Sequence, residues 1–275
     1  MIQMITMIVK LFLRLTDYPF FRRIIWKPFY EILAKKTQVE SWNFMNYGYA
    51  PFEYEISLTL KQKDEINRYS LQLYHYLATK VDISQKEVLE VGSGRGGVAG
   101  YIVNYLQPKV ITGLDIAHNA VELANRKHAT GNLKFIQGNA EKLPFDNESF
   151  DVVINVESCH AYGSVPVFLK EVKRVLRPGG FFLCTDIRSS SGMQILKESL
   201  LATRMNLLSE EDITNNVVRA IETEEPEKQK RIAAAIPKWF IKTFQEFAGV
   251  KNSKAHKDLQ SGTLIYHRFV LQKNT

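Results

Sequence analysis

Residues 88–97 read Val88-Leu89-Glu90-Val91-Gly92-Ser93-Gly94-Arg95-Gly96-Gly97, an apolar run that passes directly into a glycine-rich stretch. A short apolar run, a glycine loop and then a helical pattern predict a strand–turn–helix unit. Glycines in such a turn let the chain reverse tightly and let a ligand approach the backbone closely. Gly92, Gly94 and Gly97 fit the dinucleotide spacing G-x-G-x-x-G, which is a weak match by itself. Two features argue against a nicotinamide cofactor. Glu90 would put a carboxylate where a pyrophosphate should lie, and Gly92, Gly94 and Gly96 read equally well as G-x-G-x-G, which suits a ligand without phosphates.

Outward from this loop, apolar runs at Val88–Val91, Val110–Leu114, Leu133–Ile136, Val152–Val156 and Phe181–Thr185 alternate with helical patterns at 97–106, 118–129 and 164–176. Such alternation predicts a doubly wound α/β fold with a mostly parallel sheet and helices on both faces. A further helix is expected over 61–80. Arg177-Pro178-Gly179-Gly180 should stop one helix and lead into the last parallel strand. Residues 190–248 read as helical pieces, and Thr263–Leu271 as a late strand at the sheet edge. The chain therefore divides into an N-terminal helical arm at 1–60 and an α/β domain at 61–275, with a helical cap inserted at about 190–248. A cap in that place would lie over the strand C-terminal ends, where open α/β sheets bind ligands.

Two further positions continue the pattern. Asp115 ends the second strand, where a carboxylate can accept both hydroxyls of a ribose. Asn139 stands where the third strand turns toward the ligand, and its amide could read the amino group of an adenine. Each alone has a bland reading as turn chemistry; in this order, at these strand ends, they point to an adenosyl ligand.

The chain has 275 residues, with 36 Lys+Arg against 29 Asp+Glu and a net charge of +7. An apolar fraction of 45% is that of a globular chain, not a disordered or collagen-like one. Cys159 and Cys184 are too few for a disulfide scaffold or a four-ligand zinc site, and imply reduced thiols in a cytoplasmic protein. The His residues show no metal-ligand spacing, so no metal is expected. The charge is uneven: residues 1–40 hold seven basic and three acidic residues, a net +4. The remainder is nearly neutral, which argues against a nucleic acid partner. Lys10 and Arg14 interrupt the opening apolar run too early for a membrane span, and follow rather than precede it as a signal peptide would require. Gln3, Thr6, Lys10, Arg14 and Asp17 form one narrow polar stripe on an otherwise apolar helix. Two readings stay open for residues 1–36: peripheral contact with a membrane surface, or packing against the domain or a second subunit.

The segments VLEVGSGRGG, Asp115, NAEKLPFDNESFDVV and LKEVKRVLRPGGFF resemble class I S-adenosylmethionine-dependent methyltransferases over about 60–190. With FMNYGYAP, QLYHYLATKVD, NVESCHAY and VLRPGGFFLCTDIR, the likeness extends over almost the whole chain. At that length the chain is similar to the phthiotriolone and phenolphthiotriolone dimycocerosate methyltransferases and the fatty-acid O-methyltransferases. The resemblance implies the Rossmann-like methyltransferase fold with a mostly parallel seven-stranded sheet, S-adenosylmethionine as cofactor, and methylation of an oxygen on a lipid, fatty-acid or polyketide-like molecule. It places Glu90, Gly92, Ser93, Gly94 and Gly96 along the methionine and ribose, Asp115 on the ribose hydroxyls, and Ile116, Asn139 and Ala140 around the adenine. Asn139 stands where many of these enzymes have Asp. Asn155 and Val156 would floor the sulfonium region, and Tyr47 would close over the cofactor.

An alcohol acceptor benefits from losing its proton, so a base is expected near the end of the fourth strand. His160 is the first candidate and Glu157 the second, with Tyr162 shaping the pocket; a carboxylate acceptor needs no base. Trp26, Phe29, Tyr30, Trp42, Phe44, Trp239, Phe240, Phe244 and Phe247 either line an acceptor cavity or simply pack. The alternatives are N-methylation of a small amine or phospholipid headgroup, and a regulator that binds the cofactor without catalysis.

Overall fold

The computed structural model describes residues 44, 46–52, 58–236, 238 and 241–275. The expectations for residues 1–36, and for Trp26, Phe29, Tyr30, Trp42, Trp239 and Phe240, lie outside the described residues.

A 3-10 turn at Gln62–Asn67 leads into helix α1 (Arg68–Ala78), the helix expected over 61–80. Then β1 (Glu87–Val91), α2 (Gly97–Tyr105), β2 (Val110–Asp115), α3 (His118–His128), β3 (Leu133–Gln137) and β4 (Phe150–Val156) alternate as expected. Helix α4 (Val165–Val175) follows, started by Ser164, whose Oγ accepts from the Val167 amide. It buries Phe168, Leu169, Val172 and Val175, a helical spacing that makes one apolar face. The chain enters β5 (Leu176–Ser189) through Gly179, whose φ of 74° only glycine adopts without strain. The strand's register against β4 shifts there, a bulge in place of a free turn.

The seven strands lie in the order β3-β2-β1-β4-β5-β7-β6, and β1 through β5 pair in parallel. Alternate residues of each strand feed opposite faces. Val88, Ile111, Val152 and Ile154 pack toward α1 and α2, while Leu89, Val91, Leu114 and Val153 pack toward α4 and α5 (Ser190–Ala202). Strand order reverses between β1 and β4, and the glycine loop leaves β1 at that switch point, where open α/β sheets take their ligands.

Two details differ from the sequence reading. The helical stretch 190–248 contains a strand, β6 (Asn206–Asp212), before the long helix α6 (Thr214–Ala235) and the short α7 (Ile241–Phe247). After α8 (Lys254–Gln260), the late strand β7 (Leu264–Gln272) lies inside the sheet, antiparallel to both β5 and β6; β6 forms the edge. Asn-Leu-Leu-Ser-Glu-Glu-Asp has poor strand propensity, and its pairing with β7 decides. Its acids find partners: Arg268 donates to Glu211 at 2.7 Å, and Lys197 pairs with Glu210 at 2.6 Å.

Candidate active site

The glycine loop is built by conformation and close approach. Gly92, Gly94 and Gly96 all have positive φ, at 79°, 51° and 82°. A Cβ at Gly92 would lie 2.3 Å from the Ser158 hydroxyl oxygen, and one at Gly96 2.6 Å from the Phe135 ring. At Gly94 a Cβ would meet nothing within 4 Å, so the loop leaves open space over its backbone there. The Gly92 and Ser93 amides are tied to the Leu114 carbonyl at 2.8 and 3.0 Å, which fixes β1's loop to β2.

Asp115 ends β2 beside that space. One carboxylate oxygen accepts from the Gly94 amide at 2.8 Å and the other from the Ala117 amide at 2.9 Å. The carboxylate is thus oriented by two backbone amides at the end of β2. Glu90 is buried under the loop, and its carboxylate accepts from the Ala99 amide in the first turn of α2. Burial and the Asp115 charge push the Glu90 carboxyl well above the usual carboxylate range.

Ile116 is half-buried and its carbonyl accepts from the Gln137 amide, while Ala140 is buried. The Asn139 side-chain oxygen accepts from the Glu141 amide at 3.0 Å. Only an oxygen can do so, which leaves the amide nitrogen as the group available to a ligand. Asn155 is fully buried. Its amide nitrogen lies 2.9 Å from the Val91 carbonyl, 2.7 Å from the Ser158 hydroxyl and 3.0 Å from the Tyr162 hydroxyl. It is thus a strut that holds the glycine loop to the chain after β4, and Val156 beside it is buried in the core.

Two carboxylates stand past the end of β4. Glu157 has a φ of 45°, an uncommon conformation for a non-glycine residue. One of its oxygens accepts from the Tyr47 amide at 2.9 Å and the Tyr266 hydroxyl at 2.7 Å. Burial pushes its carboxyl up to about 7, against the lowering effect of these two donors. The Tyr47 ring occupies the space beside Gly249, where a Cβ would lie 2.0 Å from it. Tyr47 therefore reaches Glu157 through its backbone.

The second carboxylate, Asp186 of β5, was not singled out from the sequence. It is fully buried and meets His160 Nδ1 at 2.7 Å through one oxygen. Its other oxygen accepts from Arg188 Nε at 2.7 Å and from the Cys159 thiol. Burial would raise the Asp186 carboxyl, yet the charges and hydrogen bonds of His160 and Arg188 hold it below its ordinary value. His160 itself keeps 30% of its side chain exposed. Cys159 and Cys184 are buried free thiols. Of the described aromatics proposed for a cavity, Phe44 packs on Tyr74 and Phe244 is buried with Ile232, Ile236 and Val250. Both follow the packing reading. Among the described residues no cluster of His, Cys, Asp and Glu could hold a metal ion.

An open parallel sheet with a positive-φ glycine loop at its switch point and an acid at the end of β2 is the arrangement of an adenosyl-binding α/β enzyme. Residues 89–184 match a methyltransferase domain family. The phthiotriol/phenolphthiotriol dimycocerosates methyltransferase of Mycobacterium leprae (strain TN) is 36% identical over 250 residues, covering 91% of this chain and 92% of its own. The fatty-acid O-methyltransferase of Mycolicibacterium smegmatis (strain ATCC 700084 / mc(2)155) is 35% identical over 244 residues, covering 89% of this chain and 88% of that one. Among solved structures, the cyclopropane synthase MmaA2 from Mycobacterium tuberculosis shares the fold at a TM-score of 0.68 and 14% identity, covering 88% of this chain and 97% of that one. The chain belongs to the family of S-adenosylmethionine-dependent methyltransferases that includes these two curated relatives. It is an enzyme of that class, with S-adenosylmethionine as cofactor.

Proposed function

We propose that the protein methylates an oxygen, hydroxyl or carboxyl, on a lipophilic small molecule. The observation that carries this reading is the His160–Asp186 pair just past the end of β4. When bound, S-adenosylmethionine supplies an electrophilic methyl group on a sulfonium. The residues present suit it: Gly94 leaves open backbone, and Asp115 places a carboxylate, oriented by the Gly94 amide, at the end of β2 where ribose hydroxyls would lie. In this reading Glu90, Gly92, Ser93, Gly94 and Gly96 line the methionine and ribose side, and Ile116 and Ala140 flank the adenine. Asn139 donates to an adenine ring nitrogen, because its oxygen is committed to Glu141. Asn155 and Val156 support the floor, and Tyr47 covers the site from the N-terminal side.

A buried Asp186 on Nδ1 keeps the proton on that nitrogen, which makes Nε2 the basic side of the ring. For a hydroxyl acceptor, His160 Nε2 takes the proton as the oxygen is methylated. For a carboxylate acceptor no proton need leave, and His160 positions the oxygen. Glu157 sits near in charge to a general base, but the Tyr47 amide and the Tyr266 hydroxyl engage it, so it serves chiefly to hold the N-terminal segment against the site. The names of the two curated relatives, one acting on phthiotriol and phenolphthiotriol dimycocerosates and one on fatty acids, support a lipophilic acceptor.

The test is methyl incorporation from labelled cofactor into a fatty alcohol, a fatty acid and a fatty amine, by wild type and His160→Ala. Label on oxygen supports the reading. Label on the amine alone would favour N-methylation, and tight cofactor binding without transfer would favour a regulator. The arm at 1–36 is proposed to meet a membrane surface peripherally; among the described residues no helix is long and apolar enough to cross one. Liposome co-sedimentation of the full chain, compared with a deletion of residues 1–18, separates membrane contact from packing.

A further inference from the structure

The cap helix α6 carries a lysine, Lys228, on its buried face. Helical spacing aligns Val217, Ile221, Lys228 and Ile232 in a single stripe, and Lys228 is only 5% exposed. Removing an ammonium from water costs several kcal/mol unless a partner compensates, so buried lysines are ordinarily paired. Lys228 makes no hydrogen bond or ion pair with any described residue.

The carboxylates around it are engaged elsewhere. On its own helix, Glu224 is the carboxylate whose charge acts most strongly on Lys228, but its hydrogen bond goes to Arg231; Glu225 accepts from Gln229 and from the Lys251 amide. Across from the helix, Glu157 is close enough to act on Lys228 electrostatically, but its bonds go to Tyr47 and Tyr266. Glu157 also feels the charge of His160, so ammonium, carboxylate and imidazole share one neighbourhood past the end of β4. Burial holds the Lys228 pKa below its ordinary value, which is the state of a cation that gains most from an incoming anion.

We propose that Lys228 is the specificity-determining residue of the acceptor site, holding the carboxylate of a long-chain acid for methylation. This rests on the reading of oxygen methylation above and narrows it from hydroxyl or carboxyl to carboxylate. The carboxylate oxygen forms the new C–O bond, the methyl's bond to sulfur breaks with its electron pair passing to the sulfonium, and no proton is transferred. The products are a neutral ester and a neutral thioether, so Lys228 acts on capture of the charged acceptor and its loss falls on KM. An amine acceptor would bring like charge to the same place and is selected against.

The test compares oleic acid, oleyl alcohol and oleylamine as acceptors for the full-length protein, with labelled S-adenosylmethionine, in wild type, Lys228→Met and Lys228→Arg. Wild type is expected to esterify oleic acid. Lys228→Met should raise its KM about 10- to 100-fold with kcat changed less than about threefold, cofactor affinity unchanged, and partial recovery in Lys228→Arg. An unchanged KM for the acid, or equal losses on acid and alcohol, would overturn the proposal. Wild-type methylation of the alcohol and not the acid would also overturn it while leaving oxygen methylation standing; transfer to the amine alone would overturn both. Should Lys228→Met fail to fold, the wild-type preference between acid and alcohol and the KM of Lys228→Arg still decide.

Discussion

The two halves of the proposed site are made of different material. The cofactor half is backbone: three glycines with positive φ, amides tied to Leu114, and an Asp115 carboxylate held by two amides. The acceptor half is titratable side chains: His160 on buried Asp186, Glu157 between Tyr47 and Tyr266, and Lys228 on the inner face of α6. A backbone cradle serves one invariant ligand and tolerates little change. A constellation of buried charges can be retuned one residue at a time, which is why the proposal places acceptor choice there.

The difference predicts separable phenotypes. Gly92→Val puts a branched Cβ where 2.3 Å already separates it from Ser158, at a φ of 79°. Its cofactor Kd, by calorimetry, should rise more than about 100-fold, with methyl transfer lost on every acceptor. His160→Ala should leave that Kd within about twofold while kcat falls about 100-fold or more on a hydroxyl acceptor. Asp186→Asn should cost about 10- to 100-fold on that acceptor, since an amide no longer holds the proton on Nδ1. A carboxylate acceptor should suffer less from both. Equal losses of cofactor affinity in all three variants would erase the division.

Glu157 tests the acceptor half through stability. Its carboxyl rises from an ordinary 4.5 to about 7 in the folded protein, so the folded state keeps a proton that the unfolded chain loses. Stability contributed by this group therefore declines as pH rises from about 4.5 to about 7, and the full cost, up to about 3 kcal/mol, is present above that. Glu157→Gln cannot ionise and still accepts from Tyr47 and Tyr266. Its melting temperature should gain on wild type between pH 5 and pH 8; a constant difference would contradict the burial argument. The smallest effect belongs to Asn139→Asp, a few-fold change in cofactor Kd, because one oxygen still accepts from Glu141 and only the donor is lost.

The same contrast explains what could be read in the sequence. Gly94 and Asp115 are 21 residues apart within one βαβ unit, so spacing and strand ends reveal them. Glu157 meets Tyr47 across 110 residues and Tyr266 across 109, and no local pattern carries such a pairing. Asp186 sat in plain view at the end of a strand, but its partner His160 comes from the neighbouring strand's loop, and only the β4–β5 register joins them. Lys228 falls in the helical stripe of Val217, Ile221 and Ile232, where a cation stands against the apolar pattern. Strand β6 was hidden because its acidic residues have low strand propensity and are held by pairing with β7. For the same reason β7 looked like an edge.

The most direct test of the account is the site of label after incubation of wild type and His160→Ala with labelled S-adenosylmethionine and an equimolar mixture of oleic acid, oleyl alcohol and oleylamine. The account predicts label on oxygen in wild type, led by the acid, and a preferential loss of alcohol methylation in His160→Ala with cofactor affinity retained. Label confined to the amine, or equal methylation of the alcohol by both proteins, would contradict it.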